Sequence, residues 1–160
     1  MTALLGVDPI KINSASFTAQ ERVRLYWSSI PVSPPPICDI YISDIMERNV
    51  SSRYYYQQSF DFHGLEKRVC ATLHLNTMDM LKRVYSPFFK APALTCVSGG
   101  YQEKKVWDGA PRKLTPVEYE RLQGLPDGFT DVGLTDTQRR TLCGNGWTLP
   151  VIKFILKELK

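Results

Sequence analysis

No apolar run in this sequence approaches the ~20 residues that a membrane-spanning helix requires. Nor does the stretch from Met1 to Pro9 pair a basic segment with an apolar one, so neither a membrane span nor a secretory leader is expected. The expected location is intracellular: the cytoplasm of a bacterium, host or phage-encoded, or the nucleus of a eukaryote. Histidine is scarce: His63 and His74 are the only two, and they stand apart. The four cysteines, Cys38, Cys70, Cys96 and Cys143, form no CxxC pair and have no histidine at ligand spacing. That pattern argues against a metal site and for reduced, mostly buried thiols. Internal repeats and low-complexity segments are absent.

What is there suits a globular protein. At 160 residues and 43% hydrophobic, the chain can build one domain, or one and a half, around a modest core. The net charge is only +4. Cations recur at Arg22 and Arg24, Arg48 and Arg53, Lys82, Arg83 and Lys90, and Lys104, Lys105, Arg112 and Lys113. Gathered on one face they would neutralise several phosphates; scattered, they are an ordinary solvated surface.

Partial alternation predicts a strand over residues 10–17 and a second from Arg22 to Trp27, after a turn at residues 18–20. Pro31 through Pro36 is a stiff break between this β piece and a middle region. A short helix is expected within residues 39–50, capped by Ser43, with Ile42, Ile45 and Met46 on one face. A strand is expected over residues 67–75. Residues 76–111 read as a long irregular segment, and long ordered loops are usually functional. Thr115-Pro116-Val117-Glu118 is a capping box with proline at the first helical position, so a helix should run to Leu122 and stop at Gly124. Thr135-Asp136-Thr137-Gln138 opens a second helix ending near Gly144. Pro150 opens a third, with Val151, Ile152, Ile155 and Leu159 as its apolar stripe and Lys153, Lys157 and Lys160 as its wet face.

Three segments, in fixed order, resemble the C-terminal motifs of the cytosine-5 DNA methyltransferase family. Gln20-Glu21-Arg22-Val23-Arg24 resembles its QxRxR element. The run from Arg112 to Asp127, containing Leu114-Thr115-Pro116 and Arg121-Leu122-Gln123-Gly124, is similar to its RxLTPxExxRLQGxPD element. Gly144-Asn145-Gly146-Trp147-Thr148-Leu149-Pro150-Val151 is similar to the closing GNxWxxPV element. Between them, Arg83-Val84-Tyr85-Ser86 and Lys90-Ala91-Pro92-Ala93-Leu94-Thr95 resemble a run found in many bacterial and phage members. The resemblance implies an α+β chain. A small β-rich target-recognition region would occupy residues 31–111. Residues 1–30 and 112–160 would form the C-terminal piece, a β-hairpin and closing helices, of a Rossmann-like S-adenosylmethionine-dependent methyltransferase domain.

The family's glycine-rich cofactor loop, Pro-Cys nucleophile and Glu-Asn-Val strand have no counterpart here. Cys38 follows prolines but also follows the QxRxR element, whereas the family's nucleophile precedes it. Methylating carbon 5 requires an extruded base, a thiolate at C6 and an acid at N3, and the last two would have to come from elsewhere. By resemblance, Arg24 reaches the flipped base near its O2, with Arg22 beside it on the same strand face. Asn145, Gly146 and Trp147 resemble the segment that closes over S-adenosylmethionine. As residues alone, they equally suit a helix C-cap and a core tryptophan. The segment of residues 95–102 is the expected base reader through Thr95, Ser98, Gly99, Gly100 and Gln102, with Arg83, Lys90, Lys104, Lys105 and Arg112 at phosphates. A flexible solvent loop is the alternative. Arg121 and Gln123 are expected to brace the recognition region, and Leu114, Leu122 and Leu125 to be core.

The resemblance therefore implies a double-stranded DNA partner and a larger subunit or N-terminal half carrying the cofactor domain. The isolated chain would be inactive. Met1 just ahead of the QxRxR element suits a separately translated small subunit, a truncated gene or an expression fragment. A non-catalytic DNA-binding or regulatory protein of the same descent, and a plain interaction module, remain alternatives. The closing helix would leave an apolar patch at Val151 and Ile155, awaiting the missing half.

Overall fold

The computed structural model describes residues 2–157 of the chain; Leu159 and Lys160, expected on the last helix, lie outside the described residues. The elements run α1 (Thr2–Leu5), β1 (Ile10–Asn13), β2 (Gln20–Glu21), β3 (Val23–Tyr26), α2 (Ile42–Ile45), β4 (Phe60–Phe62), β5 (Val69–Leu73), α3 (Asp79–Lys82), β6 (Arg83–Tyr85), β7 (Ala91–Pro92), β8 (Lys105–Trp107), β9 (Pro111–Lys113), α4 (Pro116–Leu122), α5 (Asp136–Asn145) and α6 (Leu149–Leu156). The fold is mixed α and β. A five-stranded sheet has the order β4-β5-β6-β8-β9, antiparallel except for β6 beside β8. β1 and β3 form a separate antiparallel pair, with Ile12 opposite Arg24. β2 lies parallel to β7.

Sequence and structure differ first at the strand expected over residues 10–17. It ends at Asn13, where the Asn13 side chain accepts from the Ala15 amide and starts a 3-10 turn over Ser14–Ser16. The helix expected within residues 39–50 is one turn, and its N-cap is Tyr41 rather than Ser43. Residues 76–111, expected to be irregular, carry α3, β6, β7 and β8. The strands among them are held by partners distant in sequence, which local periodicity cannot show.

Both capping boxes form. The Thr115 side chain accepts from the Glu118 amide and that of Thr135 from the Gln138 amide, and each glutamate or glutamine reaches back. Gly124 ends the RLQG segment at a φ of 69°, a left-handed conformation that favours glycine. A Cβ there would also meet Pro150 Cδ at 2.4 Å. The stop is therefore packed against the start of α6.

The main core cluster joins Ile42, Ile45, Leu94, Val97 and Val106 to Leu114, Tyr119, Leu122 and Cys143. It crosses the boundary expected at residues 111 and 112, and β9 itself belongs to the sheet. Leu114 and Leu122 are buried as expected, and Leu125 packs against the cluster. A second cluster lies under the sheet at Cys70, Ala71, Leu73, Leu75 and Val84. The third joins Ile12 to Val151 and Ile155. This corrects the expected open patch at Val151 and Ile155: β1 already covers that side of α6.

Candidate functional site: a buried polar junction and an open cleft

The three motifs converge on one buried polar cluster. Gln20, at the head of β2, donates through Nε2 to Leu122 O (3.0 Å) and Gln123 Oε1 (3.3 Å), and its Oε1 accepts from the Leu94 amide (2.9 Å). Gln123 Oε1 also accepts from the Thr148 hydroxyl (2.9 Å), which in turn accepts from the Ser14 hydroxyl (2.9 Å). Gln123 Nε2 donates to the carbonyls of Cys143 and Gly146, and Gln123 O accepts from the Leu149 amide. Gln20, Gln123 and Thr148 are almost wholly buried. Buried amides must be paired to be tolerated, so the side chains that satisfy each other also fix the three segments together. Gln123 was expected to brace; the parts of Gln20, Ser14 and Thr148 were not foreseen. An uncharged polar side chain inside each motif, Gln20, Gln123 and Thr148, was the signal available.

Two of the motif segments also line an open cleft of about 510 Å³, whose lining includes Arg22, Arg24, Leu25, Asn145, Trp147 and Leu156. Arg24 is exposed on β3 and donates to the neighbouring Val23 carbonyl at 2.7 Å. Trp147 is 72% exposed, which corrects the core-tryptophan alternative, and Gly146 is the C-cap of α5. Leu25 at 51% and Leu156 at 46% exposure supply apolar wall. The cleft thus places the expected base-contacting arginine and the expected cofactor segment on one surface.

Arg22 behaves differently from its neighbour. It sits in the break between β2 and β3 rather than on a shared strand face with Arg24. Its guanidinium is buried and donates to Leu94 O (2.9 Å), Gly144 O (3.2 Å) and Gly146 O (3.3 Å). Burial, with Arg24 adding repulsion, pulls its pKa below the usual arginine value. Its donors face backbone carbonyls, so Arg22 is a strut and not a second base contact.

Several cations expected at phosphates are likewise held by the chain's own acceptors. Arg112 is 0% exposed, paired with Glu118 Oε1 (2.7 Å) and Asp108 Oδ2 (2.7 Å). Lys105 is 2% exposed, and its ammonium donates to Tyr101 O (2.6 Å) and Glu103 O (2.9 Å). Burial lowers its pKa to about 8. Lys90 Nζ is occupied by the carbonyls of Thr18, Cys38 and Ile40. In each case carbonyls or carboxylates of the chain itself claim the charge. Lys104 is half-buried, and burial lowers its pKa. Arg83 is exposed beside Asp79 at 3.1 Å, away from the cleft lining.

The expected reading loop is a formed turn. Ser98 donates through amide and hydroxyl to Gln102 Oε1 (2.9 and 3.0 Å). Gly99, Gly100 and Tyr101 project with φ of 111°, 61° and 65°. Open space surrounds Gly99 and Gly100, so the left-handed backbone rather than close packing requires glycine there. Thr95 and Cys96 are exposed at the stem; Cys96 is the exposed member of the four free cysteines, Cys70 and Cys143 being buried and Cys38 half-buried. Arg121 donates to Ile45 O at 2.9 Å, joining α4 to the segment before the sheet. No cluster of metal-ligating side chains occurs among the described residues, and none of their helices is long and apolar enough to cross a membrane.

The C-5 cytosine-specific DNA methylase family matches residues 39–160, well over half the chain. The chain belongs to this family. Among its curated relatives is the type II methyltransferase M.NlaX of Neisseria lactamica, 44% identical over 50 residues, which are 31% of this chain and 16% of that protein. Another, M.SsoII of Shigella sonnei, is 29% identical over 120 residues, 74% of this chain and 31% of the relative. The chain thus matches about a third or less of the length of these methylases. The fold is also similar to the methyltransferase EhMeth of Entamoeba histolytica. The TM-score is 0.62 at 16% identity, over 96% of this chain and 54% of EhMeth.

Proposed function

We propose that this methylase-family chain is the target-recognition and base-clamping portion of a DNA (cytosine-5) methyltransferase, completed by polypeptide that carries the S-adenosylmethionine loop and the nucleophilic cysteine. The observation that carries the reading is the cleft, whose lining brings Arg24 together with Asn145, Trp147 and the exposed apolar Leu25 and Leu156. The partial match to the relatives supports it too. Residues 1–30 and 112–160 would belong to the catalytic domain and residues 31–111 to target recognition, with β9 shared. Arg24 would donate to the extruded cytosine, whose O2 suits a permanently charged planar donor. The residues present fit the cofactor: Asn145 offers an amide, and the open Trp147 indole can cover an apolar or sulfonium-bearing group. S-adenosylmethionine supplies the methyl group when bound. The projecting Gly99-Gly100-Tyr101 turn would approach base edges, and Arg83 and Lys104 would meet phosphates on double-stranded DNA.

The test is to mix the chain with a candidate larger subunit and follow transfer of labelled methyl groups to duplex DNA. Transfer should occur only in the mixture. Arg24→Ala should lower it about 100-fold or more while leaving assembly intact. Methyl transfer by the chain alone would overturn the reading. DNA binding without methylation in any mixture would mark a non-catalytic relative.

A further inference from the structure

The reading loop and the cofactor turn are joined at their roots. The loop, residues 95–102, begins immediately after Leu94, and the turn, residues 145–147, immediately after Gly144. Arg22 Nη1 donates to both roots, to Leu94 O at 2.9 Å and Gly144 O at 3.2 Å. Nη2 donates to Gly144 O at 3.2 Å and to Gly146 O, inside the turn, at 3.3 Å. Two further contacts bridge the same segments. The Cys96 thiol donates to Asn145 Oδ1 at 2.7 Å. At Gly144 a Cβ would meet Thr95 O at 2.3 Å and Cys96 N at 2.9 Å, so the two backbones touch where only glycine fits.

We propose that Arg22 is a positioning residue that couples the DNA-reading loop to the cofactor turn, so that DNA and S-adenosylmethionine bind the assembled enzyme cooperatively; the inference rests on the functional reading above. One rigid, planar group holds carbonyls from both segments, and backbone-to-backbone contact at Gly144 passes displacement of either segment to the other. Whatever orders the loop orders the turn, and the coupling must be equal in both directions. Lysine cannot replace arginine here. Its shorter side chain ends in one nitrogen, which cannot reproduce the planar pair Nη1 and Nη2 that holds Leu94 O, Gly144 O and Gly146 O together.

The experiment uses the assembled enzyme and a duplex that it methylates. Calorimetry gives Kd for S-adenosylhomocysteine with and without that duplex. The wild-type ratio should be about fivefold or more, the lower end of ordinary coupling. Arg22→Lys should bring the ratio close to one, with KM rising for both substrates. Cys96→Ala removes one bridge only, and should lower the ratio partway even if Arg22→Lys folds poorly. Independently of any cofactor, amide exchange in the chain carrying either substitution should accelerate together in residues 95–102 and 145–147. A ratio unchanged in the variants, a wild-type ratio near one, or exchange rising in one segment only would overturn the coupling. A wild-type assembly that never methylates would instead overturn the functional reading, and the coupling with it.

Discussion

Polar side chains serve opposite ends in two parts of this molecule. Where the motifs meet, Gln20, Arg22, Arg112, Glu118, Gln123 and Thr148 are buried and bonded to one another or to backbone. On the five-stranded sheet, Asp61, His74, His63 and Arg83 stand in water, although they too are paired: His74 with Asp61 at 2.9 Å and Arg83 with Asp79 at 3.1 Å. A hydrogen-bond or ionic partner is therefore no measure of what a polar group does. Burial decides. An internal group that loses its partner keeps the full desolvation penalty, whereas an exposed one is rehydrated.

The sharpest way to break the comparison is at Glu118. Its carboxylate receives two guanidinium nitrogens of Arg112 and the amides of Thr115 and Glu47. Glu118→Ala leaves the Arg112 charge buried without its chief partner and undoes the capping box of α4. It should lower unfolding free energy by about 3–5 kcal/mol in urea titrations. Gln123→Ala should follow, at about 1–3 kcal/mol, because Thr148 and Gln20 lose a shared partner. Loss below half a kcal/mol at both positions would show that the buried cluster is no firmer than the sheet surface.

A smaller effect comes from pH. Lys105 is held at about 8 by burial, below its ordinary 10.5. Between those values the unfolded chain keeps a proton that the folded chain has released, so stability rises with pH. Burial raises Cys70 to about 11 and Cys143 to about 12, against an ordinary 9.0. Above pH 9 the unfolded thiols lose protons that the folded ones keep, and stability falls. The outcome is a rise of at most about 1 kcal/mol from pH 8 to 9, then a reversal. Lys105→Met should flatten the rise and leave the reversal. A rise that survives the substitution would assign it to another group.

Legibility in the sequence followed the same division. Both capping boxes, the stop at Gly124 and the opening of α6 by Pro150 depend on residues within a few positions of each other, and could be read directly. The sheet could not: β6 pairs with β8 some twenty residues on, around the loop of residues 95–102, and β9 continues past the expected boundary. Motif order brought Arg24 and residues 145–147 together before any coordinates did. The fate of individual charges stayed hidden, because Lys90, Lys105 and Arg112 look no different in sequence from Arg83 or Arg24. What separates them is whether a loop folds its carbonyls over the charge, as residues 18, 38 and 40 do over Lys90. Spacing carries no trace of that.

Arg83 supplies the mildest test. It is exposed at the junction of α3 and β6, and its ion pair with Asp79 raises its pKa through a side-chain hydrogen bond. A solvated pair of this kind adds little to folding, so Arg83→Ala should leave the urea midpoint unchanged within error. If the sheet faces DNA, the same substitution removes one phosphate contact. The slope of log K for duplex binding against log salt should then become shallower by about 1, equally for all sequences, because a phosphate contact releases counterions without reading bases. Lys90→Ala should do the reverse. The three carbonyls around its ammonium would lose their shared donor, lowering stability while leaving the salt slope as it was. Should both substitutions change the slope alike, engagement by the chain's own carbonyls would no longer divide structural cations from DNA-facing ones, and the contrast would fail at its simplest point.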